Sequence, residues 1–251
     1  MLTTYLFWVS GLFYYLVGEK MIKVVFMDID DTIYDYSAFV KKVIKDGFKK
    51  YGLYPYSDDL ILLYNEINNQ IWKGAEYHNL TVQELNSLCW NRFFKEIGIT
   101  FDSRLFEEYF CAELYKSAIF KPNALELIQY LNEKYIMCVA SNAPYEQQMN
   151  RLKVGEIDSF FSHIFISSRI GARKPDKEFF DYCFKELHKA GCDNLKPEET
   201  IIIGDTITSD IVGGKNYGMK TCLYTKGKKD NLYYIEADYI ISDLAEIMKI
   251  L

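Results

Sequence analysis

Lys23-Val24-Val25-Phe26-Met27-Asp28-Ile29-Asp30-Asp31-Thr32 is the stretch from which the rest of the chain can be read. Its first half is a short β-branched and aromatic run, the composition of a buried strand; its second half is a polar turn crowded with carboxylates. After Pro122 the chain alternates. Helices are expected over 122–133, 145–152, 177–188, 209–217 and 244–250, and strands over 136–140, 163–166, 200–204, 221–224 and 239–241. Alternation of this kind implies right-handed crossovers and a parallel sheet covered on both faces.

Between the first strand and this alternating region the period changes. Apolar residues recur at helical spacing in Phe39, Val40, Val43, Ile44 and Phe48, in Leu60, Leu63, Tyr64, Ile67 and Ile71, and in Leu85, Leu88, Cys89 and Phe93. Thr81 to Glu84 reads as a capping box opening the last of these helices. No strand pattern interrupts the region. The fold class expected is therefore α/β: a Rossmann-like parallel sheet core with helices on both faces, formed by residues 21–36 and 117–251, and an inserted all-helical cap domain over 37–116.

Length and composition fit that plan. A chain of 251 residues has room for one core domain with an insert, and 49% hydrophobic with 25% charged residues is ordinary for a globular protein. The 38 Tyr and Phe (21 and 17) are numerous enough to supply flat faces for a ligand, although core packing is the commoner use of such side chains. The net charge of −6, with no Lys/Arg block beyond pairs such as Lys41-Lys42 and Lys228-Lys229, argues against a nucleic-acid polymer as partner. An acidic protein that acts on an anion must place its positive charge locally. Six cysteines without a C-x-x-C spacing argue against a zinc site and fit a reduced, cytoplasmic setting. His78, His163 and His188 show no metal spacing and read as structural or exposed.

Residues 1–20 stand apart. The stretch 5–17 (YLFWVSGLFYYLV) is almost wholly apolar, yet shorter than the roughly 20 residues that span a bilayer, and it lacks the basic start and cleavage site of a signal peptide. Three readings stand: an extension outside the fold, with Met21 as the natural start; a helix packed on the protein; or a membrane anchor. Any membrane contact is expected only through these residues.

Chemistry gathers where the expected strands end, the edge at which open α/β sheets place their functional groups. The first strand ends in Asp28-Ile29-Asp30-Asp31-Thr32, the second in Ser141-Asn142, and the third is followed by Arg173-Lys174-Pro175-Asp176. The fourth runs into Gly204-Asp205-Thr206-Ile207-Thr208-Ser209-Asp210. Carboxylates gathered at one edge repel one another unless a hard cation such as Mg²⁺ neutralises them, while a hydroxyl, an ammonium and loop amides hold phosphate. Together they specify metal-assisted phosphoryl transfer on a small phosphorylated metabolite. Asp31 and Asp35 are expected in turn or solvent roles, Thr208 and Ser209 as helix N-caps, and Asp176 as a turn or cap residue.

The ordered set D-x-D-x-T, strand-end Ser, Lys-Pro and G-D-x-x-x-x-D resembles the haloacid dehalogenase superfamily over residues 22–251. The resemblance implies Asp28 as the nucleophile that forms an aspartyl-phosphate, and Asp30 as the acid and base that protonates the leaving oxygen and then activates water. It implies that Thr32 orients Asp30 beside the phosphate group. Ser141 and the Asn142 amide would hold phosphate oxygens, and Lys174 would neutralise Asp28 and the phosphoryl group. Mg²⁺ would be held by Asp28, the Asp30 carbonyl and Asp205, with Asp210 behind or through water. An acid at position 30 favours phosphate-ester hydrolysis, since the dehalogenases and phosphonatases of the family lack it; a phosphomutase uses the same pair, and a non-catalytic binding protein is the remaining alternative. Among the capped members the chain is most similar to the non-canonical pyrimidine 5′-nucleotidases, on Ile71-Trp72, Asn79-Leu80-Thr81, Phe179-Phe180-Asp181-Tyr182 and 204–214. Asn79 departs from the Gly expected there. Trp72 or Tyr77 would be placed to stack on a base. Phosphoglycolate, sugar phosphates and acylneuraminate 9-phosphate are the other substrates weighed.

Overall fold

In the computed structural model, residues 6–9, 12–15, 21–53, 55–75, 82–227 and 236–251 are described. Six strands form one parallel sheet: β3 (Val24–Met27), β4 (Ile136–Ser141), β5 (His163–Ile166), β6 (Thr200–Gly204), β7 (Lys220–Tyr224) and β8 (Tyr239–Ile241). Their spatial order is β5-β4-β3-β6-β7-β8. The chain starts at the centre of the sheet, builds outward through β4 and β5, then returns to build the other side. Between β3 and β6 the direction of growth reverses, which opens a crevice at the carboxyl ends of those two strands. In β3 the backbone pairs Val24 with Ile136 on one side and with Thr200 on the other.

The strands are buried on both faces because helices cover both. Side chains alternate across β3, so Val25 and Met27 join one apolar layer and Val24 and Phe26 the other. The first layer is closed by α5 (Ala124–Asn132) through Leu127, Ile128 and Leu131 and by α6 (Tyr145–Val154) through Leu152. The second is closed by α8 (Lys177–Lys189) through Phe179, Phe180, Cys183, Phe184 and Leu187. A short helix, α7 (Ser167–Ile170), leads from β5 towards it. The expected helix over 209–217 is a wide π-type turn, Ile207–Ile211, running into α9 (Val212–Tyr217).

The segment expected over 37–116 folds as α1 (Tyr36–Tyr51), which begins one residue earlier, α2 (Asp59–Ala75), α3 (Val82–Glu96) and α4 (Ser103–Tyr115). They enclose an apolar cluster of their own, centred on fully buried Trp90. Tyr64 stacks on its ring at 4.6 Å, and Phe93, Phe106 and Phe110 surround it. The aromatic richness of the composition is therefore largely core packing. Trp72 is half-buried on α2, whereas Tyr77, Asn79, Leu80 and Thr81 lie outside the described residues, as do Lys228 and Lys229.

Near the N-terminus, the backbone of β1 (Leu6–Val9) and β2 (Leu12–Tyr15) pairs antiparallel, so a helix over this stretch is not what forms. Among the described residues no helix is long and apolar enough to cross a membrane. The six cysteines are free thiols.

Candidate active site

Asp28 emerges where β3 ends, and its amide donates to the Ile203 carbonyl of β6 at 2.9 Å, which fixes it over the crevice. Asp205 follows β6 directly, and so the two carboxylates meet there. Lys174 reaches them from the loop after α7. Its main chain is gripped by the Asn142 side chain, which accepts from the Lys174 amide at 2.9 Å and donates to its carbonyl at 2.8 Å. The buried Nζ then donates to Asp28 Oδ1 at 2.8 Å, Asp210 Oδ1 at 2.6 Å and the Ala140 carbonyl at 2.6 Å. Asp210 arrives through the π-type turn, where its Oδ2 also accepts from the Thr206 amide at 3.0 Å. A Cβ at position 204 would overlap the Asp210 carboxylate, so glycine there is what allows this close approach.

Each charge is perturbed by its setting. Burial pushes the Asp28 carboxyl well above its ordinary range, against the pull of Lys174 and with the added push of Asp210 and Asp205. Burial likewise raises Asp205 to about 6, in spite of Lys226. For Lys174 burial alone would favour the neutral amine, but Asp210 and Asp28 outweigh it and hold the ammonium charged. Oxygen atoms of Asp28, Asp205 and Asp210 lie within 4.8 Å of one another. A hard, all-oxygen donor set with this excess of negative charge fits Mg²⁺.

Asp30 is tied elsewhere than expected. Its Oδ1 accepts from Arg151 Nη1 at 2.5 Å and its Oδ2 from Gln148 Nε2 at 2.6 Å. Thr32, expected to orient it, is fully buried with no hydrogen-bond partner for its Oγ1 among the described residues. Orientation of Asp30 thus falls to two residues of α6 that the motif pattern does not single out. Ser141, at the end of β4, accepts from the same Gln148 Nε2 at 3.2 Å. The sequence signal for this pair is slight: a glutamine and an arginine three apart, on the helix that follows the Ser141 strand end.

Asp31 lies in the turn expected of it and Asp35 opens α1, but both also enter ion pairs that the expectation did not include. Asp31 Oδ1 pairs with Lys121 at 2.9 Å, its Oδ2 lies 3.4 Å from Lys226, and Ser37 donates to it through both amide and hydroxyl. Burial disfavours its charge, but Lys226 and Lys121 outweigh that and hold the carboxyl below its ordinary value. Asp35 caps α1 by accepting from the Ala38 amide and pairs with Lys121 at 2.9 Å. Lys226, which no motif marks, donates to Asp205 at 2.8 Å and so joins this network to the carboxylate crevice. Thr208 and Ser209 lie inside the π-type turn, which Thr206 opens, so neither is an N-cap. Asp176 does sit at the N-cap of α8. A cavity of about 450 Å³ lies at the junction of α1, the 116–120 segment and α6, and no carboxylate of the crevice lines it.

A parallel sheet with the strand order found here carries a carboxylate-lysine cluster at its reversal point, an all-oxygen arrangement that fits a hard cation. The haloacid dehalogenase-like hydrolase family model matches residues 25–224, and the chain belongs to that family. Among curated proteins it is 30% identical to the HAD-hydrolase YfnB of Bacillus subtilis, over 92% of this chain and 96% of that protein. A crystal structure of YfnB bound to magnesium superposes with a TM-score of 0.82, covering 92% of this chain and 99% of the other. It is 29% identical to a glyceraldehyde 3-phosphate phosphatase of Pyrococcus furiosus (92% and 94% covered) and 26% identical to the pyrimidine 5′-nucleotidase PynA of Streptococcus pneumoniae (90% and 93% covered). The chain is thus an enzyme, a hydrolase of the phosphatase kind within this family.

Proposed function

We propose that the chain is a Mg²⁺-dependent phosphomonoesterase that works through a phosphoryl group carried on Asp28, and that its substrates are pyrimidine nucleoside 5′-monophosphates. The observation that carries the chemistry is the placement of Asp28 at the sheet reversal, bonded to a buried lysine, with Asp205 and Asp210 alongside and Asp30 two residues on. The substrate rests on the similarity to PynA, together with the stretches that resemble that subgroup.

Asp28 Oδ attacks phosphorus, and the bond from phosphorus to the ester oxygen breaks. Asp30 gives its proton to that departing oxygen. In the second step Asp30 takes a proton from water, whose oxygen attacks phosphorus and breaks the bond to Asp28, releasing inorganic phosphate. Lys174 favours the anionic, nucleophilic form of Asp28, against the burial and neighbouring carboxylates that raise it. Ser141 and the Asn142 amide stand at the neighbouring strand end to hold phosphate oxygens. Asp28 and Asp205, with the Asp30 carbonyl and with Asp210 behind, would hold the ion. When bound, Mg²⁺ supplies positive charge against the phosphoryl oxygens and the crowded carboxylates.

The test is phosphate release from UMP, dTMP, dUMP, phosphoglycolate, hexose phosphates and glyceraldehyde 3-phosphate, with and without Mg²⁺, for wild type and Asp28→Asn. Metal-dependent turnover lost in the variant, with preference for pyrimidine monophosphates, is the expected result. Undiminished activity in Asp28→Asn would overturn the nucleophile. The Pyrococcus relative favours a second reading, a triose phosphate as substrate, which the same panel separates.

A further inference from the structure

The family motifs leave unassigned the two α6 residues that hold Asp30. Arg151 is a fully buried guanidinium and Gln148 a fully buried amide, and neither is needed to bind the phosphate or the cation cluster described above. Both donate to Asp30, one to each carboxylate oxygen. Arg151 Nη1 donates to Asp30 Oδ1 and, at 3.0 Å, to Gln148 Oε1, while Gln148 Nε2 donates to Asp30 Oδ2 and to Ser141 Oγ. Arg151 is itself held from two sides. Its Nε donates at 3.0 Å to the carbonyl of Ser117, where the chain returns from the helical insert, and its ring-facing group stacks 4.9 Å from the centre of Tyr34. The Tyr34 hydroxyl in turn donates to the Arg151 carbonyl at 2.9 Å.

A carboxylate on a two-bond side chain is free to rotate unless both oxygens are engaged, and proton transfer demands a donor within hydrogen-bond reach along a suitable direction. Here each Asp30 oxygen accepts one fixed donor and keeps a further lone pair for a proton. We infer that Gln148 and Arg151 are positioning residues for the acid–base step, fixing the plane of the Asp30 carboxylate relative to Ser141 and the site of the departing oxygen. This rests on the reading of Asp30 as the acid and base, and the experiment separates the two.

Protonation of the departing oxygen matters little for p-nitrophenyl phosphate, whose leaving group departs as a stable anion, and greatly for alkyl phosphates, whose alkoxide does not. Values of kcat and KM would be measured across a series of aryl and alkyl phosphates for wild type, Asp30→Asn, Gln148→Leu, Arg151→Met and Arg151→Lys. General acid catalysis is worth about 10²- to 10⁴-fold, so a misdirected acid is expected to cost about 10- to 100-fold in kcat/KM on the alkyl esters and only a few-fold on p-nitrophenyl phosphate; kcat/KM is the quantity compared because it reports phosphorylation of Asp28 and not the later attack of water, which is common to the whole series. Arg151→Lys should restore part of the alkyl-ester kcat/KM. A loss of equal size along the whole series in Gln148→Leu and Arg151→Met, alongside a selective loss in Asp30→Asn, would overturn the positioning role and leave the acid intact. An unselective loss in Asp30→Asn would overturn the acid itself. Should Arg151→Met not yield folded protein, Gln148→Leu decides by the same criterion.

Discussion

Lys174→Met tests the electrostatic logic of the crevice at its centre. The substitution keeps the length and apolar stem of the side chain and removes the one ammonium that lies 2.8 Å from Asp28 and 2.6 Å from Asp210. At an effective dielectric of about 20 each of these contacts is a gross attraction of about 6 kcal/mol. The methionine also escapes the cost of burying an ammonium, several kcal/mol, so the net loss is the difference; breaking a buried pair from one side typically costs about 3–5 kcal/mol. For a chain of this size each kcal/mol moves Tm by about 2–4 °C, so a fall of about 6–20 °C is expected in metal-free protein near neutral pH. The sign with pH is fixed. Without the ammonium, burial and the neighbouring carboxylates hold a proton on Asp28 still more tightly in the folded chain than in the unfolded one, so folding is disfavoured as pH rises and the penalty shrinks as pH falls. Thermal unfolding followed by circular dichroism at about pH 5 and about pH 8, with Asp28→Asn added to the variant as a partial rescue, measures this. A Tm unchanged at the higher pH, or an equal loss at both, would refute the coupling of Lys174 to the carboxylates.

The carboxyl of Asp205, pushed up to about 6 by burial from an ordinary 3.8, makes metal-free stability fall as pH rises between those values, because the folded chain retains a proton the unfolded chain has released. Mg²⁺ binds the ionised carboxylate, so the rise in Tm on adding Mg²⁺ should be small near pH 5 and reach its plateau above about pH 7; Asp205→Asn should abolish most of it, and an equal rise at both pH values would contradict the assignment. Gly204→Ala places a methyl group on the Asp210 carboxylate, forcing it off Lys174. A displacement of about 1 Å at such a site costs on the order of 100-fold, so kcat/KM should drop by that scale while circular dichroism shows the sheet intact. Wild-type turnover in this variant would show that Asp210 need not hold its place.

Much of this architecture is legible in sequence for a simple reason. β3 and β6 are buried on both faces and so appear as unbroken apolar runs, and the residues that end them are forced to the sheet edge whatever follows. Asp28, Ser141 and Asp205 are brought to one edge by that rule, and Lys174 and Asp210 reach it from the loops that follow. What escapes it are contacts between residues far apart in sequence. Arg151 sits on a helix where an arginine would ordinarily face solvent, and only the position of Asp30, 121 residues earlier, explains its burial. Asp31 looks like a turn residue until Lys121 and Lys226 close on it from two other loops. Trp90 and its aromatic neighbours carry no local mark that separates packing from base stacking; only the closed cluster of α1–α4 does.

The distribution of these contacts separates the carboxylate crevice from the helical insert. Every described hydrogen bond or ion pair to the carboxylates of Asp28, Asp30, Asp205 and Asp210 comes from residues of the sheet-bearing part: Lys174, Gln148, Arg151, Thr206 and Lys226. None comes from residues 37–116, whose apolar side chains form a separate core of their own. Among the described residues these four carboxylates are therefore held without a hydrogen bond from the helical insert, which meets α6 through the Tyr115 carbonyl, where Asn150 donates, next to the Ser117 carbonyl that takes the Arg151 Nε. A leaving-group series therefore reads side chains held by the sheet-bearing part alone.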